Sequence, residues 1–190
     1  SVDIGTDTSY TLSSLLPSTT YYLAVTTYDM DGNESWYSNE VTGAPNSPPV
    51  AGNTLVTTDE NTDYSGTLPA SDLDGDTLMF SIIDSTVNGT LNLSDPATGT
   101  FTYSPMENFN GSDSLTFSVS DGLISDTAAV SITVTAVNDT PIASDTSFTT
   151  DEDAEVALTL PATDIDGDVL TYAVVDSPAY GVVNTLSAFN

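Results

Sequence analysis

Three aspartates at alternating positions around a glycine, Asp72, Asp74 and Asp76 in Ala70-Ser71-Asp72-Leu73-Asp74-Gly75-Asp76, are the feature with the clearest chemistry. The same arrangement returns as Asp164, Asp166 and Asp168 in Ala162-Thr163-Asp164-Ile165-Asp166-Gly167-Asp168. Carboxylates crowded into one turn repel unless something cationic sits among them. The chain has 28 acidic residues and no Lys, Arg or His, so no side chain can supply that charge. Calcium takes six to eight hard oxygen ligands and suits such a turn. An EF-hand loop does not fit, because its glycine belongs at position 6 and a glutamate at position 12. Taken singly, Asp-x-Asp-Gly is also an ordinary solvated turn. Asp29-Met30-Asp31-Gly32-Asn33 is read that way, as a loop.

The turn does not stand alone. A shift of 92 residues, which carries Asp72 onto Asp164, also carries Asn46 onto Asn138, Asp59-Glu60 onto Asp151-Glu152, Leu68-Pro69-Ala70 onto Leu160-Pro161-Ala162 and Gly89 onto Gly181, without a gap. One repeat therefore spans 46–137 and a second 138–190, with a linker at 45–49 before the first. Within the first repeat, strand-like runs alternate with turn residues: 54–58, 65–69, 77–83, 89–93, 100–103, 114–120 and 127–136. Leu115, Phe117 and Val119 alternate with Thr116 and Ser118, and Val130, Ile132 and Val134 alternate with Ser131 and Thr133. With Leu78 and Phe80, these are the expected inward residues of an antiparallel β-sandwich. The fold class is all-β, tandem immunoglobulin-like or cadherin-like sandwiches in an elongated rod.

Residues 46–190 resemble cadherin repeats and the cadherin-like tandem repeats of bacterial surface adhesins. The motifs run in order: a glutamate in the opening strand (Glu60, Glu152), Ala-x-Asp-x-Asp-Gly, Phe109-Asn110-Gly111-Ser112-Asp113, Val119-Ser120-Asp121-Gly122, and Val137-Asn138-Asp139 before Pro141. The resemblance implies calcium at domain boundaries. Carried onto this chain, it implies Glu60, Asn138, Asp139, Asp164 and Asp166 as ligands at the later boundary, with Asp113 a further candidate. Asp72, Asp74 and Asp121 form a weaker set near residue 46, because Ser47 replaces the aspartate found at Asp139.

Residues 1–44 resemble the second half of a fibronectin type III domain. Leu16-Pro17-Ser18-Thr19-Thr20-Tyr21 is the turn, with strands expected at 9–13, 21–27 and 38–42. The resemblance implies that the Tyr21 hydroxyl bonds back to the backbone.

A net charge of −28 argues against nucleic acid and against anionic membrane surfaces. Acidity of this degree is compatible with disorder, but 38% hydrophobic content with 9 Tyr and 6 Phe in short alternating runs points to a packed fold. The absence of Cys removes disulfides and thiolate chemistry. No apolar run approaches a membrane span. The chain opens at Ser1, so an internal stretch is expected, with any targeting segment outside it. A carboxylate pair could serve a glycosidase, but without Arg, Lys or His the expectation is no catalysis. Sequons at Asn33, Asn88, Asn92, Asn110 and Asn138 are read as turn chemistry.

The expected role is a structural or adhesive stalk of a secreted or cell-surface bacterial protein, stiffened by calcium. Its partners would be neighbouring repeats or copies of itself end to end, other surface proteins or glycans. A spacer beside a secreted glycan-degrading enzyme is the alternative. A carbohydrate-binding role would need exposed aromatics in a row. Tyr21, Tyr22, Tyr28, Trp36 and Tyr37 are the one local cluster, expected to serve as packing. The segments 1–44 and 138–190 each hold part of a sandwich, and strand donation between copies, building a filament, would cover both.

Overall fold

A computed structural model describes residues 2–184; the last six residues of the second repeat lie outside the described residues. All regular structure in it is β. The chain divides into two compact units, one ending at Thr135 and one beginning at Ala136.

The first unit opens with a two-stranded ribbon, β1 (Tyr21–Leu23) and β2 (Val41–Gly43), paired antiparallel. Residues 9–13 do not form the expected strand. The ladder of β1 and β2 also stops at Leu23, although single hydrogen bonds continue it to the hairpin tip. The hydroxyl of Tyr21 accepts the Leu16 N–H at 2.9 Å, the back-bond the turn implies.

The sandwich follows. Its strands are β3 (Val50–Ala51), β4 (Thr54–Asp59), β5 (Tyr64–Thr67), β6 (Ala70–Ser71), β7 (Met79–Asp84), β8 (Gly89–Asp95), β9 (Thr100–Pro105), β10 (Gly111–Ser120) and β11 (Ser125–Thr135). One sheet has the order β4-β11-β10-β7 and the other β5-β9-β8, with β3 and β6 as a short separate pair. The pairing is antiparallel except between β4 and β11, which run parallel, contrary to the wholly antiparallel expectation. A parallel pair needs a long crossover, and the whole sandwich between Asp59 and Ser125 provides it.

The long hairpin β10–β11 sets the core. Its register places Leu115 opposite Val130 and Phe117 opposite Ala128, so the alternating apolar sets share one face. All four are buried. Each such large side chain taken from water contributes about 1.5–3 kcal/mol. Phe80 stacks obliquely on Phe117 with centroids 6.2 Å apart. From the opposite sheet β9 contributes Phe101 and Tyr103, the latter wholly buried. Leu78 is only partly buried against this cluster, while the other seven expected core residues are inside it.

In the second unit the described strands are β12 (Ile142–Ala143) and β13 (Ala162–Thr163). They reproduce β3 and β6 at the 92-residue shift: Val50 pairs Ser71 as Ile142 pairs Thr163, and Ala51 pairs Ala70 as Ala143 pairs Ala162. No helix among the described residues is long and apolar enough to cross a membrane.

Candidate metal centre

The short pair β3–β6 delivers the chain into the aspartate turn. There Asp72 Oδ1 accepts the N–H groups of Asp74 at 2.8 Å and Asp76 at 3.3 Å. The turn needs a left-handed residue, and Gly75 supplies it at φ 78°. Because Oδ1 does this folding work, Oδ2 of Asp72 is left buried with no hydrogen-bond partner.

The loop joining β10 to β11 brings the second carboxylate. Asp121 Oδ1 accepts the N–H groups of Leu123 and Ile124, both at 2.7 Å. Its Oδ2 accepts the Asn46 side-chain amide, also at 2.7 Å. The Ile124 N–H first, then the Asn46 amide, hold this carboxyl below its ordinary pKa. One carboxylate oxygen from each of Asp72, Asp76 and Asp121 lies within 4.8 Å of the others.

Asp74, expected among the ligands, is taken up by other partners. Its Oδ1 accepts the Ser18 hydroxyl and its Oδ2 the Ser47 N–H, each at 2.5 Å. Ser18 first and Ser47 second keep it ionised below the usual range. The third carboxylate of the cluster is thus Asp76, which the sequence places in the turn but which the ligand set carried over from the resemblance left out. The signal was available, since Asp168 repeats it at the same shift.

The second unit repeats the wiring. Asp164 Oδ1 accepts the N–H groups of Asp166 at 3.0 Å and Asp168 at 3.3 Å, and Gly167 has φ 77°. The Asp139 N–H donates to Asp166 Oδ2 at 2.6 Å, the counterpart of Ser47 on Asp74. Asn138 donates through its amide to the Asp139 carbonyl at 2.8 Å. Glu60 belongs to the first unit, where it is buried just beyond β4 and its N–H donates to the Thr135 carbonyl at 2.9 Å.

Asp113 has a different occupation. It accepts the N–H groups of Val87, Asn88 and Ser114 and the hydroxyl of Tyr103. Burial works to raise its pKa, but these donors prevail and hold it low. Its carboxylate fastens the loop before β8, and it is not among the carboxylates that converge with Asp72, Asp76 and Asp121.

The fit to a divalent cation rests on Asp72, Asp76 and Asp121: converging hard oxygens, one of them buried and unpartnered, in a chain without a basic side chain. Oxygen-only donors of this kind suit calcium rather than softer metals.

The bacterial Ig domain family matches the chain over residues 46–133 and 138–189. No curated protein matches it. Among solved structures, human protocadherin-24 EC1-2 is similar at 21% identity and a TM-score of 0.46, over 64% of this chain and 61% of that one. Drosophila N-cadherin EC1-3 is similar at 16% identity and a TM-score of 0.41, over 65% of this chain and 45% of that one. An endo-fucoidan hydrolase of glycoside hydrolase family 107 is similar at 22% identity and a TM-score of 0.40, over 63% of this chain; the chain spans only 19% of its length. Matched in both of its repeats, over well more than half its length, the chain belongs to the bacterial Ig domain family.

Proposed function

We propose that this chain is a non-catalytic, calcium-rigidified spacer of an extracellular or cell-surface protein. One observation carries the reading. In each repeat the aspartate turn that gathers carboxylates also grips the residue by which the chain enters the domain, Ser47 on Asp74 and Asp139 on Asp166. Asp72, Asp76 and Asp121 would hold the ion in the first repeat, and Asp164 and Asp168 are the corresponding positions in the second. Bound calcium would neutralise the crowded carboxylates. The turn would then tighten, and with it the linker it holds. The boundary at 138, with Glu60, Asn138, Asp139, Asp164 and Asp166, is proposed as a calcium joint on the strength of its motif.

Small-angle scattering in millimolar calcium and in excess chelator tests this. The longest dimension should be better defined and greater with calcium. An unchanged length with calcium bound, as read by calorimetry, removes the stiffening role.

A second reading concerns assembly. Leu23, Val25 and Val41 are largely exposed on one face of the ribbon. Strand donation by another copy would cover them, and concentration-dependent growth of filaments in light scattering is its test. A place beside a catalytic domain in a glycan-degrading enzyme is compatible with the same spacer role.

A further inference from the structure

The ribbon β1–β2 has two faces, and Tyr22 and Tyr28 lie on the one turned away from the apolar strip. Leu23 pairs Val41, and Val25 follows Leu23 on the same side. Tyr22, Thr26 and Tyr28 alternate onto the other side, and Tyr28 bridges Glu34 across the hairpin. Between them the register slips. Ser38 donates to Val25 O and Ser35 to Thr27 O, both at 2.8 Å. Two residues, Trp36 and Tyr37, therefore oppose the single Thr26. This is a β-bulge, a device that re-aims side chains. Hydroxyls of Ser38 and Ser35 accept the N–H groups of Val25 and Thr27 at 3.0 Å, so the bulge leaves neither donor idle.

The bulge sets both aromatic rings beside the carboxylate: Glu34, Trp36 and Tyr37 line one recess. Tyr28 stands directly opposite Glu34 across the hairpin, which brings its ring to the same end of the ribbon. Trp36 is 95% exposed, Tyr37 78% and Tyr28 66%. Packing does not account for these rings, because the face that a sandwich core would cover carries Leu23, Val25 and Val41. The tip is also held in shape. Asp29 accepts the N–H groups of Asp31 and Asn33 and the Asn33 amide, at 2.8–3.0 Å.

We infer that Tyr28, Trp36 and Tyr37, with the Glu34 carboxylate at their edge, form a binding platform for a neutral glycan chain. Aromatic faces take the C–H face of a sugar ring, and a carboxylate takes its hydroxyl donors in charge-assisted bonds. Charge selects among glycans. With Asp29, Asp31, Glu34 and Glu40 on this hairpin and no Lys or Arg in the chain, a sulfated or uronic polymer meets repulsion and no counter-charge. The site is separate from the aspartate turns, so binding should persist in chelator.

Trp36 is the only tryptophan, so its emission reports the site directly. The whole chain would be titrated with cellohexaose, laminarihexaose and xylohexaose, and in parallel with dextran sulfate. At least one neutral hexasaccharide should give a saturable blue shift, and dextran sulfate none. By calorimetry Trp36→Ala and Tyr37→Ala should each weaken that binding about tenfold or more, while Tyr180→Ala, also on an exposed ring, leaves it unchanged. Silence with all three sugars, preference for dextran sulfate, or full affinity in both platform variants overturns the proposal, the first of these assigning the face to a protein partner.

Discussion

The hydroxyl of Tyr103, a side chain with no exposed surface, donates to Asp113 Oδ2 at 3.0 Å. The bond crosses from the middle of one sheet to the entrance of the β10–β11 hairpin and ties the loop at Val87–Asn88 to both. Burial first, then the hydrogen bond to Asp113 and after it the Asp113 charge, push the Tyr103 phenol up to about 12. A raised phenol contributes stability that is whole below its unfolded pKa near 10 and is lost as pH rises towards 12. Asp113 is held low, so its share is whole above about pH 4 and is lost as pH falls through its depressed value. Unfolding midpoints against pH should therefore decline at both extremes. Tyr103→Phe should remove the alkaline decline, and it should also remove the buried, late-titrating tyrosine from absorbance titration at the phenolate band.

Asp113→Ala should cost about 3 kcal/mol, because it leaves the Val87 and Asn88 N–H groups and a buried hydroxyl without their acceptor. Asp113→Asn keeps one acceptor oxygen and should cost less. Denaturant unfolding separates the two. If Asp113→Asn lowered calcium affinity at unchanged stability, Asp113 would be a ligand after all.

Gly89 carries the closest packing in the sandwich. A methyl group there would sit 2.3 Å from a Tyr103 ring carbon and 2.7 Å from the Ser104 carbonyl. The carbonyl is backbone and cannot yield, so Gly89→Ala should destabilise by about 2–3 kcal/mol or leave the chain unfolded. Thermal melts decide it. A wild-type midpoint would mean that β8 and β9 can part locally.

The long strands were legible because β10 and β11 are half-buried and alternate strictly over many residues. The pairs β3–β6 and β12–β13 were not, since two residues carry no period. The run at 9–13 has the alternation of a strand and still forms none: a pattern states which face would be buried, not whether a partner is present. The aspartate turn was legible as a carboxylate cluster, but not which oxygens face inward. Asp74 differs from Asp76 in that the Ser18 hydroxyl and the linker N–H of Ser47 reach it. Asp113 is ambiguous in sequence for a related reason. Aspartate serves equally as ligand or as loop clamp, and the Tyr103 beneath it became visible only in three dimensions.

Asp76→Asn should show a crossover. In chelator it removes repulsion from Asp72 and Asp121 and should raise the melting temperature by a few degrees. In calcium it removes a ligand and should lower both the midpoint and the calorimetric affinity. Asp74→Asn, outside the three converging carboxylates, should lower affinity less than Asp76→Asn does. A shift of the same sign in both buffers would mean that no cation enters the cluster.

Ser47 and Asp139 are the sharpest difference between the two repeats, because they hold the same place: each gives its N–H to the central aspartate of its turn, at 2.5 and 2.6 Å. Ser47 is buried, with 8% of its surface exposed. Ser47→Asp puts another carboxylate into that crowded place. In chelator the added charge has only like charges near it, so the melting temperature should fall. With calcium the same group becomes a ligand, and affinity rises with the number of charged ligands. The variant should then bind calcium about tenfold more tightly at the first turn and melt above the wild type. Asp139→Ser should do the reverse at the second turn. Calorimetric titrations paired with melts in both buffers read both signs. If Ser47→Asp lowers the midpoint equally with and without calcium, the linker residue stands outside the cation's surroundings, and the two boundaries differ in sequence without differing in calcium affinity.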